Sequence, residues 1–514
     1  MSKTIIIIGA GLAGLSAALQ AAENGCNVKL VSSLPSERAQ SVMAEGGINA
    51  ALNTKDENDS PEEHFTDTIK AACGLADPNA VWGMTQAAPE LVHWLLKLGV
   101  KFNMSGYDDV DLRNFGGQKK KRTAFAQSDT GKQIMTAMID AVRRKEASGM
   151  VERFSHHSFL TLRLCGNICC GCVIRDEYSQ ETVELPGDAV IVAIGGMHGL
   201  FGNTTGSLSN TGEVTAELFR LGVPLANGEM IQYHPTTVKC GGKRMLISEA
   251  ARGEGGRLFA MKDGKQWYFM EEKYPELGNL MPRDITAREI WKVSHESEVF
   301  LDMTEISEEI ISNKLSGLAD DCMTYLHKDI RKEPVSVLPG IHYFMGGILV
   351  DEQHRTPIQN LYAAGECCAQ YHGANRLGGN SLLGALYGGR VAAKSACEQA
   401  DVVDLSCATQ IDFPPASQIS EIKQLNKVMQ ETMGVVRNEN TLLNGIKTVQ
   451  ALTGNLPLLG MAVLKSALAR KESRGAHWRE DYPKSNDDDY LKTTVAIFDG
   501  KQIQISFVPV PERR

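Results

Sequence analysis

The chain has 514 residues, enough for about two to four structural units, and its 43% hydrophobic and 22% charged residues are ordinary for a soluble globular protein. The net charge of −9 argues against nucleic acid as the main partner, although a local cluster of Arg and His can still bind an anionic substrate. No apolar run reaches the roughly 18 residues that span a bilayer, so the sequence predicts no direct membrane insertion.

The chain opens on a predicted strand, glycine turn, helix and second strand, KTIIIIGAGLAGLSAALQAAENGCNVKLV. Gly9, Gly11 and Gly14 form GxGxxG, in which the first glycine permits the turn, the second lets the backbone approach a pyrophosphate, and the third allows close helix–strand packing. The predicted ligand is a dinucleotide whose phosphates lie at the helix N-terminus. The apolar run Ile5–Ile8 is short and leads straight into the turn, which favours a buried strand over a targeting peptide and therefore a cytoplasmic protein.

The second strand lacks the acidic residue that binds the ribose of NAD. It ends in Ser32 and Ser33 instead, which favours FAD, because FAD enzymes draw contacts from distant segments as well. Two later apolar strands, in Asp188–Gly196 and Asn360–Glu366, offer such segments and end in glycine turns. Taken singly, each turn is also explained as a tight connection after a core strand. Together the three strands predict an α/β, Rossmann-like FAD-binding domain assembled from separate parts of the chain.

Changes in residue pattern divide the rest of the chain. A charged region with short apolar runs predicts an inserted α+β capping domain, and three- and four-residue apolar spacing predicts a C-terminal helical domain. Alternation after Asp487 predicts a hairpin around Asp499–Gly500. The predicted bounds are 1–229 and 341–405 for the two parts of the FAD-binding domain, 230–340 for the capping domain, 415–480 for the helical domain and 481–514 for a C-terminal β segment.

The 12 cysteines include a cluster, CGNICCGC, from Cys165 to Cys172. An iron–sulfur or zinc site is one interpretation, but the spacing matches no ligand motif, and the alternating apolar residues around it favour a hairpin strand. The other cysteines are scattered in hydrophobic contexts typical of buried thiols. We therefore predict that all 12 are reduced and structural, and that the chain holds no metal.

Five further blocks follow in the order MIQYHPTT, LISEAARGEGG, MPRDITAR, GIHYFMGGI and HGANRLGGNSLL. They closely resemble the flavoprotein subunit of succinate dehydrogenase and fumarate reductase and, less closely, the related L-aspartate oxidase. The resemblance runs in order from Gly9 to the motif KESRGAHWREDYP at Lys471–Pro483, which is essentially the whole chain. It implies an FAD-dependent oxidoreductase that interconverts fumarate and succinate by hydride transfer from flavin N5.

A dicarboxylate needs cationic or hydrogen-bonding groups at both of its ends. Arg376 can hold a carboxylate with its planar two-donor fork. His234, Ser248 and His342 resemble the family positions that bind the remaining oxygens, and Ser248 keeps the hydroxyl of the more usual threonine. Phe115 resembles a family residue that packs against the substrate. A lone His is more often structural, and the matched motifs are what favour a substrate role for both histidines.

The resemblance also implies a route for the proton that fumarate reduction consumes. Arg283 matches the family's proton-transfer arginine, and Glu249 with Arg252 matches its supporting relay, which gives the path Arg252–Glu249–Arg283. Arginine is an unusual acid because its pKa exceeds about 12. A structural ion-pair network is the alternative interpretation of such a trio.

One departure from the family concerns the flavin link. Counting back from AEGG at Ala44–Gly47 places Gln40 where the respiratory enzymes have the histidine that bonds covalently to the flavin. Glutamine cannot form that bond, so we expect non-covalent FAD, a lower flavin potential and a bias toward fumarate reduction. Further cofactor contacts are predicted at these positions: Ser32, Ser41, Ala44, Gly46, Gly47, Ala193, Gly195, Glu213, Gly365, Glu366, Ser381 and Leu383.

Three other functions are alternatives to the interconversion of fumarate and succinate. A missing covalent histidine is also a property of L-aspartate oxidase, but GANRLGG and HYFMGG resemble the dehydrogenase and reductase branch. A reductase of another unsaturated dicarboxylate fits the same scaffold. A non-catalytic flavin-binding electron-transfer subunit is disfavoured because Arg283, His342 and Arg376 are all present.

Electrons must reach the flavin from outside the chain. The sequence has neither a CxxCH heme motif nor recognisable iron–sulfur ligands. We expect a separate iron–sulfur subunit as the electron-transfer partner, with free reduced flavin or NADH as the alternative donor. Any membrane association of this cytoplasmic chain would come through such partner subunits.

Overall fold

The computed structural model describes residues 2–106, 109–400, 413 and 418–514. The predicted domain boundaries at 405 and 415 lie outside these residues. The helices and strands of the first 229 residues are, in chain order, β1 Thr4–Ile8, α1 Leu12–Glu23, β2 Asn27–Ser32, β3 Ile48–Asn49, α2 Pro61–Ala71, α3 Pro78–Leu98, β4 Leu112–Arg113, β5 Thr123–Ala124, α4 Thr130–Ala147, β6 Val151–Ser155, β7 His157–Cys165, β8 Ile168–Asp176, β9 Thr182–Pro186, β10 Ala189–Val192, α5 Glu213–Arg220 and β11 Leu225–Ala226.

The next stretch, as far as residue 400, forms β12 Ile231–Cys240, β13 Lys243–Leu246, α6 Glu249–Gly253, β14 Arg257–Lys262, β15 Lys265–Trp267, α7 Phe269–Lys273, α8 Arg283–Val293, β16 Val299–Asp302, α9 Glu308–Lys314, α10 Ser316–Asp321, β17 Val335–Ser336, β18 Leu338–Phe344, β19 Gly347–Leu349, β20 Leu361–Ala363, β21 Cys368–Ala369 and α11 Asn380–Gln399. The C-terminal elements are α12 Ile419–Thr432, α13 Glu439–Val449, α14 Asn455–Ala469, α15 Asp487–Tyr490, β22 Lys492–Phe498 and β23 Ile503–Pro509. Within the described part of the chain, no helix is both long and apolar enough to cross a membrane.

The core of the predicted FAD-binding domain is a five-stranded parallel sheet with the order β20-β10-β1-β2-β6. The four isoleucines of β1 are at most 4% exposed, as expected for a parallel sheet that is covered on both faces. Helices α1 and α11 pack on one face, and the β7-β8-β9 sheet covers the other through Leu162 and Ile174. The three strands that end in glycine turns, β1, β10 and β20, lie side by side, so their carboxyl ends share one edge.

The inserted region is built from two antiparallel sheets, β13-β12-β18 and β15-β14-β16-β17. A hydrophobic cluster of its own, which includes Leu258, Ile290 and Leu301, packs these sheets against the helices of the same region. The first and last strands, β12 and β18, pair with each other, so the insertion leaves and re-enters the FAD-binding domain at neighbouring points. The region therefore has the predicted α+β character.

The C-terminal region combines helices with a hairpin. Helices α12, α13 and α14 pack together and against α5, around Leu425, Leu442 and Leu459. The hairpin β22–β23 turns at Asp499–Gln502, close to the predicted turn. It does not stand alone, because β22 pairs with β11 and joins a sheet of order β21-β19-β11-β22-β23. The C-terminal strands are therefore part of a sheet shared with the FAD-binding domain.

Ten cysteines of the described residues are free thiols. Cys165 is disulfide-bonded, so the prediction that every cysteine is reduced is wrong at this position. Pairing depends on which residues the fold brings together, and the local spacing carries no information on that. The rest of the sequence cluster lies on the hairpin β7–β8, where Cys169 and Cys172 pack into the hydrophobic layer against the central sheet.

Candidate active site

A cavity of about 600 Å³ opens at the carboxyl edge of the central sheet. Its wall combines the glycine turns after β1, β10 and β20 with residues of β12, α6, α8 and β18. The volume is in the range of cofactor and substrate sites, which commonly measure a few hundred to about 1,000 Å³. The cavity therefore lies between the FAD-binding domain and the capping domain, and both domains contribute side chains to it.

The turn after β1 forms a backbone cradle. Gly9 has a φ of +107°, and a Cβ at this position would clash with the backbone after β10, so no other residue fits. A Cβ on Gly14 would clash with the carbonyl of Gly9; Gly14 therefore permits close packing and does not itself line the cavity. Gly11 lines the cavity, and the N–H of Leu12 donates to the Ser41 hydroxyl over 3.3 Å. The N-terminus of α1 thus faces the space where a pyrophosphate would lie.

The end of β2 offers a hydroxyl that needs a partner. Ser32 is 8% exposed and lines the cavity, and its Oγ has no hydrogen-bond partner among the described residues. A buried hydroxyl without a partner costs free energy unless a ligand supplies one. Ser32 therefore fits a ribose hydroxyl at the place where NAD enzymes use a carboxylate. The glycine cradle and this hydroxyl together fit FAD.

Most of the other predicted cofactor contacts line the same cavity: Gln40, Ser41, Ala44, Gly46, Gly47, Ala193, Gly195, Glu213, Gly365, Glu366 and Ser381. Gln40 is the first residue of a 3₁₀ turn, Gln40–Met43. Leu383 is fully buried in the core and does not line the cavity. Its neighbour Leu382 does, because consecutive residues of a helix point about 100° apart.

Arg376 is a buried cation with no carboxylate paired to it among the described residues. Its side chain is 3% exposed, its guanidinium carbon lies 4.2 Å from the centre of the Tyr343 ring, and its Nε has no hydrogen-bond partner there. Burial, and then the nearby Arg283 cation, lower the pKa of Arg376 to about 9. A buried cation is costly until an anion binds to it. Arg376 is therefore suited to an anionic ligand.

Two histidines lie side by side on the paired strands β12 and β18. The ring centres of His234 and His342 are 5.1 Å apart. Nδ1 of His342 lies 2.8 Å from the Thr205 hydroxyl, and Nε2 of His234 is buried without a partner among the described residues. Burial, followed by the charge of Arg283, holds the pKa of both imidazoles well below the ordinary value. Both rings are therefore neutral at pH 7 and can offer an N–H to a ligand without adding charge.

Three charged side chains form one buried chain of ion pairs. Arg283, the first residue of α8, donates to Oε2 of Glu249 from Nε over 2.8 Å and from Nη2 over 2.6 Å. Oε1 of Glu249 lies 3.3 Å from Nη2 of Arg252, one turn along α6. Burial acts to raise the pKa of Glu249, but Arg283 and Arg252 outweigh it, so the pKa is lower than usual and the carboxylate is ionised. Arg283 and Glu249 line the cavity, and Arg252 lies behind them.

Ser248 and Phe115 complete the predicted set of substrate contacts. Ser248 caps α6, where its Oγ accepts from the Ala250 N–H over 3.4 Å, and it lines the cavity. Phe115 is 2% exposed and packs so close to Gly46 that a Cβ there would lie 3.1 Å from the ring. The structure thus brings all five predicted substrate contacts to the wall of one cavity.

Sequence reasoning missed several residues of this wall, among them Thr205, Arg244, Asp321, Tyr325 and Tyr343. Thr205 lies in a loop without a recognisable motif, and its contact with His342 depends on the fold. Arg244 lies on the hairpin β12–β13, where its Nε donates to the Thr237 hydroxyl over 2.5 Å. Tyr343 lies in the block GIHYFMGGI, in which only His342 was predicted to bind the substrate.

Glu45 is a further residue that sequence reasoning did not assign to the site. It lines the cavity, and its Oε2 is buried without a partner among the described residues. Burial, and then the charge of Asp321, raise the pKa of Glu45 to about 8. This carboxyl is therefore largely protonated at neutral pH and adds little negative charge to the wall.

The chain is similar to known proteins along nearly its whole length. The family described as FAD binding domain matches residues 4–382, and the family described as Fumarate reductase flavoprotein C-term matches residues 452–513. The chain is 39% identical to the succinate dehydrogenase flavoprotein subunit of Bacillus subtilis, over 96% of this chain and 94% of the relative. It is 32% identical to the 8-methylmenaquinol:fumarate reductase flavoprotein subunit of Wolinella succinogenes, over 97% of this chain and 89% of the relative.

The fold is also similar to that of a solved structure. The FrdA chain of an E. coli quinol fumarate reductase superposes with a TM-score of 0.90 at 27% sequence identity. The match covers 99% of this chain and 97% of that chain. The likeness therefore includes the capping domain and the C-terminal elements as well as the FAD-binding domain.

Proposed function

This chain belongs to the family of succinate dehydrogenase and fumarate reductase flavoprotein subunits, which are FAD-dependent oxidoreductases, and on that premise we propose that it interconverts fumarate and succinate. The observation that carries the substrate assignment is Arg376, a buried cation with an unpartnered Nε among the described residues. It shares one cavity wall with His234, with His342 and with the Arg283–Glu249 pair.

The charges of this cluster fit a dianion. Arg283, Glu249 and Arg252 together carry one net positive charge, and Arg376 adds a second, which matches the two carboxylates of the substrate. Arg376 holds one carboxylate with its guanidinium fork. The neutral imidazole of His342 supplies an N–H to the other oxygens, together with His234 and the hydroxyl of Ser248. Neutral donors orient the substrate without over-compensating its charge.

Reduction of fumarate adds a hydride to one alkene carbon and a proton to the other. FAD, when bound, supplies the hydride chemistry at N5. Arg283 delivers the proton, and its contacts support this role: Glu249 holds one edge of the guanidinium, and Nη1 donates to Oε1 of Gln232 over 3.0 Å. A guanidinium with both edges held presents its N–H groups in a defined direction, which is what proton transfer to a fixed carbon requires.

A guanidinium is a very weak acid, so it gives up a proton only if the proton is replaced at once. Arg252 and Glu249 form the replacement route, since Glu249 contacts Arg283 through Oε2 and Arg252 through Oε1. In the direction of succinate oxidation the same groups carry the proton away. The alternative is a purely structural ion-pair network, in which removal of the Glu249 charge destabilises the folded protein because it leaves Arg283 and Arg252 buried without a counter-ion.

The flavin is bound without a covalent link, and the reaction is biased toward fumarate reduction. Gln40 lines the cavity at the start of the turn Gln40–Met43, and its side-chain amide is not a nucleophile. A flavin without the covalent bond has a lower reduction potential, which favours giving electrons to fumarate over taking them from succinate. Partner subunits bring the electrons, and we expect an iron–sulfur protein among them, with free reduced flavin or NADH as the alternative donor. Association with a membrane comes through such partners.

One set of assays tests this proposal. The purified protein receives fumarate with a reduced artificial electron donor and, in parallel, succinate or L-aspartate with an acceptor. We expect turnover of fumarate and slower turnover of succinate. Oxidation of L-aspartate without turnover of the other two would show instead that the chain is an L-aspartate oxidase.

A further inference from the structure

The C-terminal motif KESRGAHWREDYP has no residue in the cavity wall, yet it contacts two segments that carry active-site arginines. The motif follows α14, and its central part is the loop Arg474–Arg479. This loop lies between the segment that precedes Arg376 in the FAD-binding domain and helix α8 in the capping domain, which begins with Arg283. It is therefore placed to relate one arginine to the other.

On one side the loop is joined to the segment that carries Arg376. The N–H of Ala476 donates to the carbonyl of Ala374 over 2.9 Å, two residues before Arg376. A Cβ on Gly475 would lie 2.5 Å from the same carbonyl oxygen, so the two backbones are in direct contact. The N–H of Ala374 in turn donates to the carbonyl of Ala72 over 3.0 Å. On this side the loop is held by these backbone contacts and by Nη1 of Arg474, which donates to the carbonyl of Cys73 over 3.2 Å.

On the other side a side-chain stack joins the loop to α8. The guanidinium carbon of Arg288 lies 4.0 Å from the centre of the Trp478 ring. Arg288 is five residues after Arg283 on the same helix. At the start of the helix, Asp284 accepts from the side-chain amide of Asn375 over 3.1 Å. The first two turns of α8 are thus held at two points outside the capping domain.

Buried polar contacts make the loop stiff. The guanidinium of Arg474 donates to both oxygens of Glu472, over 2.8 Å and 2.9 Å. The N–H of Arg437 donates to the carbonyl of Trp478 over 2.9 Å, and Nη1 of Arg437 lies 2.9 Å from Nδ1 of His477. A loop held in this way can fix the position of α8 relative to the segment that precedes Arg376, because its own backbone has little freedom to adjust.

We propose that Trp478 is a positioning residue for the reaction. Gln232 links the two arginines directly, because its Oε1 accepts from Nη1 of Arg283 and its Nε2 donates to the carbonyl of Arg376. The loop Arg474–Arg479 supports this spacing from outside the cavity, and the Arg288–Trp478 stack is a contact of the loop with α8. The inference rests on the proposed roles of Arg283 and Arg376 in proton delivery and substrate binding. Proton delivery depends on this spacing, since a displacement of about 1 Å at a reacting group can lower the rate by roughly 100-fold.

Two substitutions break the stack and one preserves it. Trp478→Leu removes the aromatic face, Arg288→Met removes the cation but keeps an aliphatic side chain, and Trp478→Phe keeps a ring. We expect kcat for fumarate reduction to fall by about tenfold or more in the first two. KM should change less than about threefold, because the carboxylate contacts remain. Trp478→Phe should retain most of the parental kcat.

A similar stack elsewhere in the capping domain provides the control. The guanidinium carbon of Arg257 lies 3.7 Å from the centre of the Tyr268 ring, and neither residue lines the cavity. Tyr268→Leu removes an arginine–aromatic stack without touching α8. It should leave kcat and KM as in the parent. Bound FAD is measured in every variant to establish that it is folded.

Hydrogen exchange of α8 gives a readout that does not depend on turnover. Amides of Arg283–Val293 should exchange faster in Trp478→Leu and Arg288→Met than in the parent or in Tyr268→Leu. Unchanged exchange in a folded variant overturns the proposal whatever its activity, and faster exchange with parental kcat overturns it as well. A parent that turns over neither fumarate nor succinate refutes the proposed function instead, and the exchange comparison still tests the link between Trp478 and α8. If Trp478→Leu does not retain FAD, the kcat and the hydrogen exchange of Arg288→Met test the proposal in its place.

Discussion

Two nitrogens of Arg283 donate to a single oxygen of Glu249, over 2.8 Å from Nε and 2.6 Å from Nη2. The other oxygen of Glu249 accepts from the N–H of Gly116 over 3.1 Å and lies 3.3 Å from Arg252. Both carboxylate oxygens are therefore engaged, and the guanidinium of Arg283 is held in one orientation. A charged group with a fixed direction in a cavity wall is suited to act on one atom of a bound ligand.

Arg283→Gln should abolish turnover while FAD stays bound. Glutamine has no cationic N–H to give up, and general acid catalysis of this kind is worth roughly 10²–10⁴-fold in rate. The measurement is steady-state fumarate reduction beside the flavin absorbance of the purified protein. Arg257→Gln is the control, because Arg257 is paired with Glu271 at the surface of the capping domain. Activity near that of the parent in Arg283→Gln would remove this residue from the mechanism.

Acid precipitation should release the flavin into the supernatant. Gln40 stands where a covalent link would require histidine, so denaturation leaves nothing that holds the cofactor. The measurement is flavin absorbance in the supernatant and in the washed pellet. Yellow colour in the pellet contradicts the interpretation of Gln40.

Ser32→Ala should weaken FAD binding. The Oγ of Ser32 lacks a protein partner among the described residues, and the loss of one hydrogen bond to the ribose costs about 1 kcal/mol, or roughly fivefold in Kd. Titration of the flavin-free protein with FAD gives the Kd. Ser395→Ala is a matched control. The Oγ of Ser395 is also buried without a partner among the described residues, but Ser395 does not line the cavity. Equal Kd values in the two variants would exclude the ribose contact.

Thr205→Val should raise KM for the dicarboxylate by about tenfold and leave FAD binding unchanged. The hydroxyl lies 2.8 Å from Nδ1 of His342 and fixes which way the ring points. A lost hydrogen bond to an orienting group costs about 1 kcal/mol or slightly more. Thr205→Ser keeps the hydroxyl and should restore KM. Kinetics of both variants with fumarate provide the comparison, and parental KM in the valine variant would show that His342 needs no such support.

Glu45 should make the folded protein less stable as pH rises. Burial, and then Asp321, raise its pKa from 4.5 to about 8. A raised acid pKa contributes stability that is fully present below the unfolded value of 4.5 and is lost as pH rises to about 8. Each unit of difference between the pKa values in the folded and unfolded states corresponds to about 1.4 kcal/mol of folding free energy. Glu45→Gln removes this dependence.

The test for Glu45 is the Tm of the flavin-free protein at several pH values between about 5 and 8. The fall in Tm across this range should be smaller in Glu45→Gln than in the parent. Glu152→Gln, at an exposed position on β6, should keep the parental slope. Parallel curves for the parent and Glu45→Gln would mean that Glu45 is ionised in the folded protein.

The first βαβ unit and the blocks of the site could be predicted from the sequence because their signals are local. The turn after β1 has a φ of +107° at position 9 and leaves no room there for a Cβ. Glycine is the residue type that meets both conditions. The motifs likewise placed Arg283, Glu249 and Arg252 in the order in which the structure joins them. Leu383 shows the limit of this reasoning, because its neighbour Leu382 lines the cavity instead.

The sequence by itself thus determined the fold class, the cofactor and the Arg283, Glu249 and Arg376 side chains of the cavity, since these depend on periodicity, backbone conformation and motif. Only the tertiary structure decided which distant groups meet. The Thr205–His342 contact joins residues 137 apart, and the β22–β11 pairing and the Arg288–Trp478 stack connect different regions of the chain. Such contacts arise from the packing of whole elements against one another, and residue spacing along the chain carries no record of that packing.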